Sequence, residues 1–395
     1  LNAAGWKPED KTKTHIDTLR ELSRQKWTRT RDKSVDLAAE DGKLVDKLEH
    51  LKKFGWRVNE TNLSTLPESA PLPARSLAKR IMLEARRRTL TEWLSLVDPA
   101  TSRIHGRFQA LGTWTHRSAT QKPNLQNIPN EFDTEGKVKL LGKEFRQLFC
   151  APKNRLLVGV DAEGIQLRIF AHYINDPEFT DALVRGKKSD KTDPHSFNQR
   201  IIGSVCKSRA AAKRFIYAML LGASKDKLAQ VLDCSLSEAE EAFNRILARY
   251  GGWELLRRET FPKDARRGYF EGLDGRKVAI PGDYASERRH LALSGYLQNG
   301  EAIVMRYATV EWYEKLAELA SSYPGLAWKL VDLIHDEWQT EVPNDIKLAK
   351  QIAEIQCDAL RVVGERLNLK CPLAGSYYND DHHDFTIGTN WYQTH

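Results

Sequence analysis

Apolar residues fall along this chain in two patterns, short unbroken runs and helical stripes, and the two patterns alternate in blocks. Leu156-Leu157-Val158-Gly159-Val160 is an unbroken run that ends in Asp161. A run of that length predicts a strand buried on both faces. A second run, Leu330-Val331-Asp332-Leu333-Ile334, is separated from the alternating segment Glu337-Trp338-Gln339-Thr340-Glu341-Val342 by His335 and Asp336 alone. Two strand-like segments joined by two polar residues predict a tight antiparallel hairpin with Asp336 at its tip. Residues 163–265, between these runs, are mainly helical in spacing. The clearest stretch is Ser208–Gly222, where alanine, leucine and methionine favour helix and Gly222 can stop it.

Outside this frame the pattern predicts further elements. Residues 1–60 alternate polar helical stretches and carry two similar phrases, Ala4-Gly5-Trp6 and Phe54-Gly55-Trp56, too short to define a repeat. Pro67, Pro71 and Pro73 predict an interruption before a basic helix from Ala74 to about Val97, which Pro99 ends. Residues 102–150 read as strands and loops, with Arg103–Phe108 as one strand and Pro123–Pro129 as an extended polar loop. Gly268–Lys277 predicts a hairpin turning at Asp274-Gly275. A long helix around Arg288–Leu319, another over Asp345–Leu367 and an irregular tail to His395 complete the chain. Strand runs separated by helical blocks indicate a mixed α/β fold whose helical middle is an excursion from a sheet-based body.

At 395 residues the chain exceeds one ordinary core, so two or three subdomains are expected. The net charge of +8 favours an anionic partner without naming it. Basic runs such as Lys11-Thr12-Lys13, Arg29-Thr30-Arg31 and Arg86-Arg87-Arg88 concentrate in the first third, where they can line a nucleic-acid track. Interspersed acids leave some of them as solvated faces. Cys150, Cys206, Cys234, Cys357 and Cys371 are odd in number and lack CxxC spacing. That argues against a disulfide framework or a zinc site and for a reducing compartment, with the cytoplasm as the expected location. No apolar run approaches a membrane span and no signal peptide is evident, so no membrane partner is expected. The first residue is Leu1 rather than methionine, which reads as a fragment or a processed product.

The candidate chemistry lies where the blocks meet. Arg209, Lys213 and Tyr217 fall at i, i+4 and i+8 and so share one helical stripe. Alone, a strand-end aspartate is commonly a turn former and a basic stripe commonly a solvated helix face. Together they make another arrangement. Two carboxylates on rigid strands can hold a pair of divalent cations roughly 3.5–4 Å apart, the separation that clamps both oxygens of an in-line phosphoryl displacement. Hard oxygen ligands favour Mg²⁺. Arg209 and Lys213 can neutralise a triphosphate, and Tyr217 one turn on can meet the sugar or base. This is the layout of a nucleotidyl-transfer site.

Three motifs in this order carry a resemblance to a known family. Asp161-Ala162-Glu163-Gly164-Ile165-Gln166-Leu167-Arg168, the helix from Arg209 to Gly222, and His335-Asp336-Glu337 resemble the first carboxylate motif, the nucleotide-binding finger helix and the second carboxylate motif of the DNA polymerase I family, family A. The phage-type branch is the most similar. Pro123–Pro129, Asp274–Lys277, Gln298 and the ending Asn390-Trp391 to His395 are supporting phrases. The match runs from about residue 75 to His395 and more weakly from Leu1.

The resemblance implies a right-hand polymerase architecture with an antiparallel palm sheet, helical fingers and a partial thumb. Residues 1–100 would form the thumb remnant and its connection, 101–170 the first palm segment, 171–285 the fingers and 286–395 the second palm segment. The implied activity is template-directed DNA polymerisation, adding deoxynucleotides to a primer 3′-hydroxyl with pyrophosphate release. The implied cofactors are two Mg²⁺ ions, and the implied partners are primer-template DNA and deoxynucleoside triphosphates. Processivity or replisome partners are not identifiable. No segment resembles a proofreading exonuclease domain or the thumb insertion of some phage enzymes.

Carried over residue by residue, the resemblance makes Asp161 and Asp336 the metal ligands, with the backbone carbonyl of Ala162 as a further one. Arg209 and Lys213 would grip the triphosphate, Lys213 also stabilising or protonating the leaving pyrophosphate, and His195 would add a phosphate contact. Tyr217 would stack near sugar and base, its residue type being that of the phage branch that accepts dideoxynucleotides readily. Gln166 would meet the sugar. Arg117, Gln298 and His335, with Asn124 and Gln126, would contact primer or template, while Glu337, Leu221 and Gly222 would support the site.

Three positions depart from the family pattern. Gln166 stands where the family usually has a glutamate that blocks a ribose 2′-hydroxyl; an uncharged amide able to donate a hydrogen bond predicts relaxed sugar discrimination, restored by Gln166→Glu. Leu221 replaces a common tyrosine before Gly222, predicting altered fidelity, and His116 replaces a glycine that supplies a special backbone conformation beside Arg117. Two other readings compete: a single-subunit RNA polymerase, which Gln166 keeps in view, and a catalytically inactive polymerase-like DNA-binding subunit.

Overall fold

The run that ends in Asp161 forms the central strand of a five-stranded sheet in the computed structural model, which describes residue 66 and residues 70–132, 138–282, 292–323, 325–379 and 383–395. The two Gly-Trp phrases, the basic runs before residue 32, Pro67 and the expected helix start at Arg288 lie outside the described residues. The chain divides into two compact units, Leu1–Ile104 and His105–His395.

In the second unit the strands are β1 (Arg155–Ala162), β2 (Lys329–Ile334), β3 (Glu337–Pro343), β4 (Gly375–Ser376) and β5 (Ile387–Gly388). Their order is β4-β1-β3-β2, β5 also pairs with β1, and every pairing is antiparallel. The register sets Asp161 opposite Glu337 across β1 and β3, and Ile334 opposite the same glutamate across β2 and β3. The predicted two-residue turn is therefore present, with His335 in the left-handed region at φ 56°. Tight hairpins require positive φ at their first central position, which glycine usually supplies.

Alternating polar and apolar residues ordinarily mark a strand with one face in water. Here Glu337 through Val342 are all buried. One face carries Trp338, Thr340 and Val342 toward the helices, where Trp338 Nε1 donates to Thr309 Oγ1 at 2.9 Å and Gln356 Nε2 donates to Thr340 Oγ1 at 2.8 Å. The polar face is covered by the C-terminal tail instead of solvent. Gln339 Nε2 donates to the Thr394 carbonyl at 2.9 Å and Thr394 Oγ1 donates to Gln339 Oε1 at 2.7 Å. Gly159, beside Gln339 in the register, makes room for this: a β-carbon there would collide with the Thr394 carbonyl.

Helices fill the interval between β1 and β2. Of those that matter here, α1 spans Ile165–Ile174, α2 Pro194–Ile202, α3 Arg209–Leu220 and α4 Ala292–Ser322; α5, Ile346–Arg366, follows β3. Asp193, before Pro194, and Ser208 are side-chain caps at two of these starts. Asp193 accepts from the backbone of His195 and Ser196 at the head of α2, and Ser208 from Ala211 at the head of α3. A side-chain oxygen satisfies amides that have no helical partner. Buried Ala212, Phe215, Ile216, Met219 and Leu220 anchor α3, which leaves Arg209 and Lys213 outside the core while Tyr217, partly buried, packs against its edge. Helix α4 runs against α1, and Gly300 sits where a β-carbon would come within 3.0 Å of Ile169, so the two backbones approach closely.

Three expected elements come out differently. Arg103–Phe108 is split into Arg103–Ile104, paired with Val97–Asp98, and Arg107–Gln109, paired with Ala119–Gln121. The break falls at Gly106, against which Leu125 packs so closely that a β-carbon would clash. Pro73 does not hold off the basic helix; it lies in the first turn of Leu72–Leu96, where a missing N–H costs nothing. Pro123–Pro129 is not extended throughout, because Leu125–Asn127 forms a 3₁₀ turn that buries Leu125, with Ile128 buried just after it. The hairpin at Asp274-Gly275 is present, with strands Tyr269–Glu271 and Lys277–Ala279. All five cysteines are free thiols, and among the described residues no helix is long and apolar enough to cross a membrane.

Candidate active site

Backbone contacts bring the two aspartates together. β1 carries Asp161 to its end, and the next residue, Ala162, donates its N–H to the Asp336 carbonyl at 2.9 Å, hooking the hairpin tip onto the strand. Asp161 keeps an accessible side chain and Asp336 a half-buried one, so the site is open to a ligand. The crowded surroundings still strip much of their hydration. Both carboxyls are pushed well above the usual carboxylate range: Asp161 by burial, then by Asp336, Glu337, Glu163 and Glu301, and Asp336 by burial and then Glu301. Among the described residues neither forms an ion pair, and no three His, Cys, Asp or Glu side chains converge as a metal cage.

The basic stripe converges on the same place. Arg209 Nε donates to Asp193 Oδ1 at 2.9 Å, so the carboxylate that caps α2 also steers the first residue of α3. The His195 imidazole, on α2, is held down at about 4 by burial, then by Arg209 and Lys213, and its Nδ1 is buried without a partner. Its ring lies 6.2 Å from that of Tyr217. The Tyr217 phenol is pushed up to about 12 by burial, then by Asp336, Asp161 and Glu301. Cations, imidazole, phenol and acid pair thus form one continuous line. Leu221 ends α3 exposed, and Gly222 follows at φ 74°.

A third group lies near the acids. Arg117 and Gln166 both donate to Oε2 of Glu301 on α4, Gln166 Nε2 at 2.9 Å. Thr115 Oγ1 donates to Gln298 Oε1 at 3.3 Å. The His335 imidazole is held below its ordinary value by burial and Arg117, against the pull of Glu301. His116 takes φ 64°, a left-handed conformation that glycine adopts more readily. Gln126 is spent within the protein, donating to Ser118 Oγ and to the Leu333 carbonyl on β2, both at 3.0 Å, while exposed Asn124 accepts from Thr120 Oγ1 at 2.9 Å.

Glu337 stands behind the acid pair rather than in it. Trp391 Nε1 and Gln339 Nε2 donate to its Oε1 at 3.1 and 2.5 Å, and His395 Nδ1 lies 2.5 Å from its Oε2. Burial pushes this carboxyl up, but His395, Gln339 and Arg146 outweigh it and hold it below the usual range. Sequence reasoning missed Glu301. The available signal was a single acid inside the mostly apolar stretch from Tyr296 to Met305, which is otherwise broken only by Gln298 and Asn299 and is largely buried in the fold.

The chain is similar to known proteins along most of its length. The family model described as DNA polymerase family A matches residues 36–393. DNA polymerase I of Chloroflexus aurantiacus is 28% identical over 309 residues, covering 75% of this chain and 31% of that protein. Phage enzymes are among the relatives: the DNA-directed DNA polymerase of Enterobacteria phage T3 is 27% identical over 77% of this chain and 42% of that protein, and that of Escherichia phage Phieco32 is 31% identical over 61% and 40%. The chain spans about a third of the length of the bacterial relatives it matches. A solved structure of the POL domain of Pol1 from M. smegmatis, in complex with DNA primer-template and dNTP, has the same fold at a TM-score of 0.67 and 21% identity, covering 96% of this chain and 65% of that one. With its three motifs in order and its matched region running nearly end to end, the chain belongs to DNA polymerase family A.

Proposed function

We propose that this chain is a template-directed DNA polymerase, with residues 101–170 and 286–395 as palm, 171–285 as fingers and 1–100 as a thumb remnant. The observation that carries the reading is the line from Arg209 and Lys213 through His195 and Tyr217 to the Asp161–Asp336 pair. Its polarity matches a nucleoside triphosphate whose reacting phosphorus lies at the acids. The donor set suits Mg²⁺, which is commonly bound through one or two carboxylates plus substrate phosphates rather than by an all-protein cage. Asp161 and Asp336, with the Ala162 carbonyl, would hold two such ions, whose charge would lower the pKa of the primer 3′-hydroxyl and neutralise the departing pyrophosphate.

The chain's own residues position and neutralise. Arg209 exchanges its bond with Asp193 for the outer phosphates, to which Lys213 adds a mobile charge that can stabilise or protonate the leaving group. His195, neutral at physiological pH, offers one hydrogen-bond donor. Tyr217 packs beside the sugar and base. Arg117, Gln298 and His335 seat the primer terminus, and base pairing with the template selects the nucleotide, so the protein reads phosphates and duplex shape.

Primer extension with Mg²⁺, comparing deoxy- and ribonucleotides on one primed template, tests this. Incorporation by the parent with Asp336→Ala below about a thousandth of its rate is expected, since an ion lost from the clamp removes several kcal/mol of stabilisation. Equal rates overturn catalysis at this site, and a preference for ribonucleotides favours an RNA polymerase.

A further inference from the structure

Glu301 is among the most buried acids in the chain, 1% exposed, and it is incompletely satisfied. Its Oε2 receives Nε2 of Gln166 at 2.9 Å and the guanidinium of Arg117, while its Oε1 is buried with no partner. A buried carboxylate missing half its hydrogen bonds is costly, and such groups persist where they serve a site. Its position follows from packing. Gly300 lets α4 close on Ile169 of α1, which puts Glu301 beside Gln166, three residues before Ile169 on the same helix face. Gln166 lies in the first turn of α1, just past Asp161.

The contact also fixes chemistry. A carboxylate can only accept, so the Gln166 amide must turn its NH₂ toward Glu301, leaving its carbonyl oxygen for the site. With outer phosphates at Arg209 and Lys213 and the reacting phosphorus at the acids, the sugar of an incoming nucleotide falls on the remaining side, among Tyr217, Gln166 and Glu301. Arg117, on the primer side, is held by the same carboxylate. We infer that Glu301 is a positioning residue that locks Gln166 and Arg117 together, so that one buried acid on α4 governs both sugar selection and seating of the primer end.

This rests on the polymerase reading and reverses the simplest expectation for Gln166→Glu. That variant sets two carboxylates within hydrogen-bond distance, where both cannot ionise. It should lose activity instead of gaining selectivity, unless Glu301→Gln moves the amide to the other helix. The experiment compares the parent, Q166E, E301Q and the double exchange, reading kcat/KM for deoxy- and ribonucleoside triphosphates and the Tm of each protein. Each single exchange is expected to lower kcat/KM for deoxynucleotides about tenfold, the scale of one hydrogen bond to a charged group. The double exchange should recover most of that loss and shift the deoxy-to-ribo ratio, a readout that packing alone does not move. Losses that multiply in the double exchange, or a ratio constant across all four, overturn the inference. If the parent extends no primer, the polymerase reading fails, while additivity or its absence in the Tm values still decides whether the pair is coupled.

Discussion

His195 shows how much a single residue's environment decides. It is buried, and neighbouring Arg209 and Lys213 add to the effect of burial, so it protonates at about 4 instead of near 6.5. Between those values the unfolded chain binds a proton that the folded chain refuses. Stability from this group is therefore complete above about pH 6.5 and declines as the pH falls toward 4, by at most about 1.4 kcal/mol per pH unit. Denaturant titrations across that window should show a steeper acid loss for the parent than for His195→Gln, and parallel curves would refute the assignment. The placement of Asp161 at a strand end, of Asp336 in a tight turn and of Arg209, Lys213 and Tyr217 on one helix was legible in the sequence, because local spacing sets it. Glu301 was not, since its partners Arg117 and Gln166 are 184 and 135 residues away along the chain.

Elements were legible where local chemistry alone sets them. The two-residue turn at Asp336, the helix within Ser208–Gly222 and the hairpin at Asp274-Gly275 all follow from residues close along the chain. Elements set by distant packing were not: Leu125 breaks a strand at Gly106, and the tail converts the polar side of β3 into an interior. Trp391 is the anchor of that tail, buried against Phe149 and Arg146 while donating to Glu337. Trp391→Ala should cost about 3–5 kcal/mol in urea denaturation, as large aromatic truncations do in cores. Trp391→Phe, which keeps most of the bulk and loses the N–H, should cost about 1–3 kcal/mol. Equal costs would mean that packing alone holds the tail.

At the scale of the whole molecule, the sheet-based body with a helical excursion was readable from the order of blocks, and a mixed α/β fold is what forms. What the order could not supply is the approach of α4 to α1, which depends on Gly300 and carries a residue from late in the chain into the site.

The hook from Ala162 to Asp336 has one more consequence. Because backbone atoms hold the acids side by side, their repulsion is a permanent local conflict in an otherwise consistent fold, a frustrated spot. Relieving it should strengthen the molecule while silencing it. Asp336→Asn is expected to melt higher than the parent in metal-free buffer, and added Mg²⁺ should raise the Tm of the parent more than that of the variant, since a ligand stabilises the state that binds it. A variant that melts lower in chelator would place the conflict elsewhere. The proposed reactive centre is then also a point of local conflict in the fold, and the cation proposed for the reaction would supply its missing counter-charge.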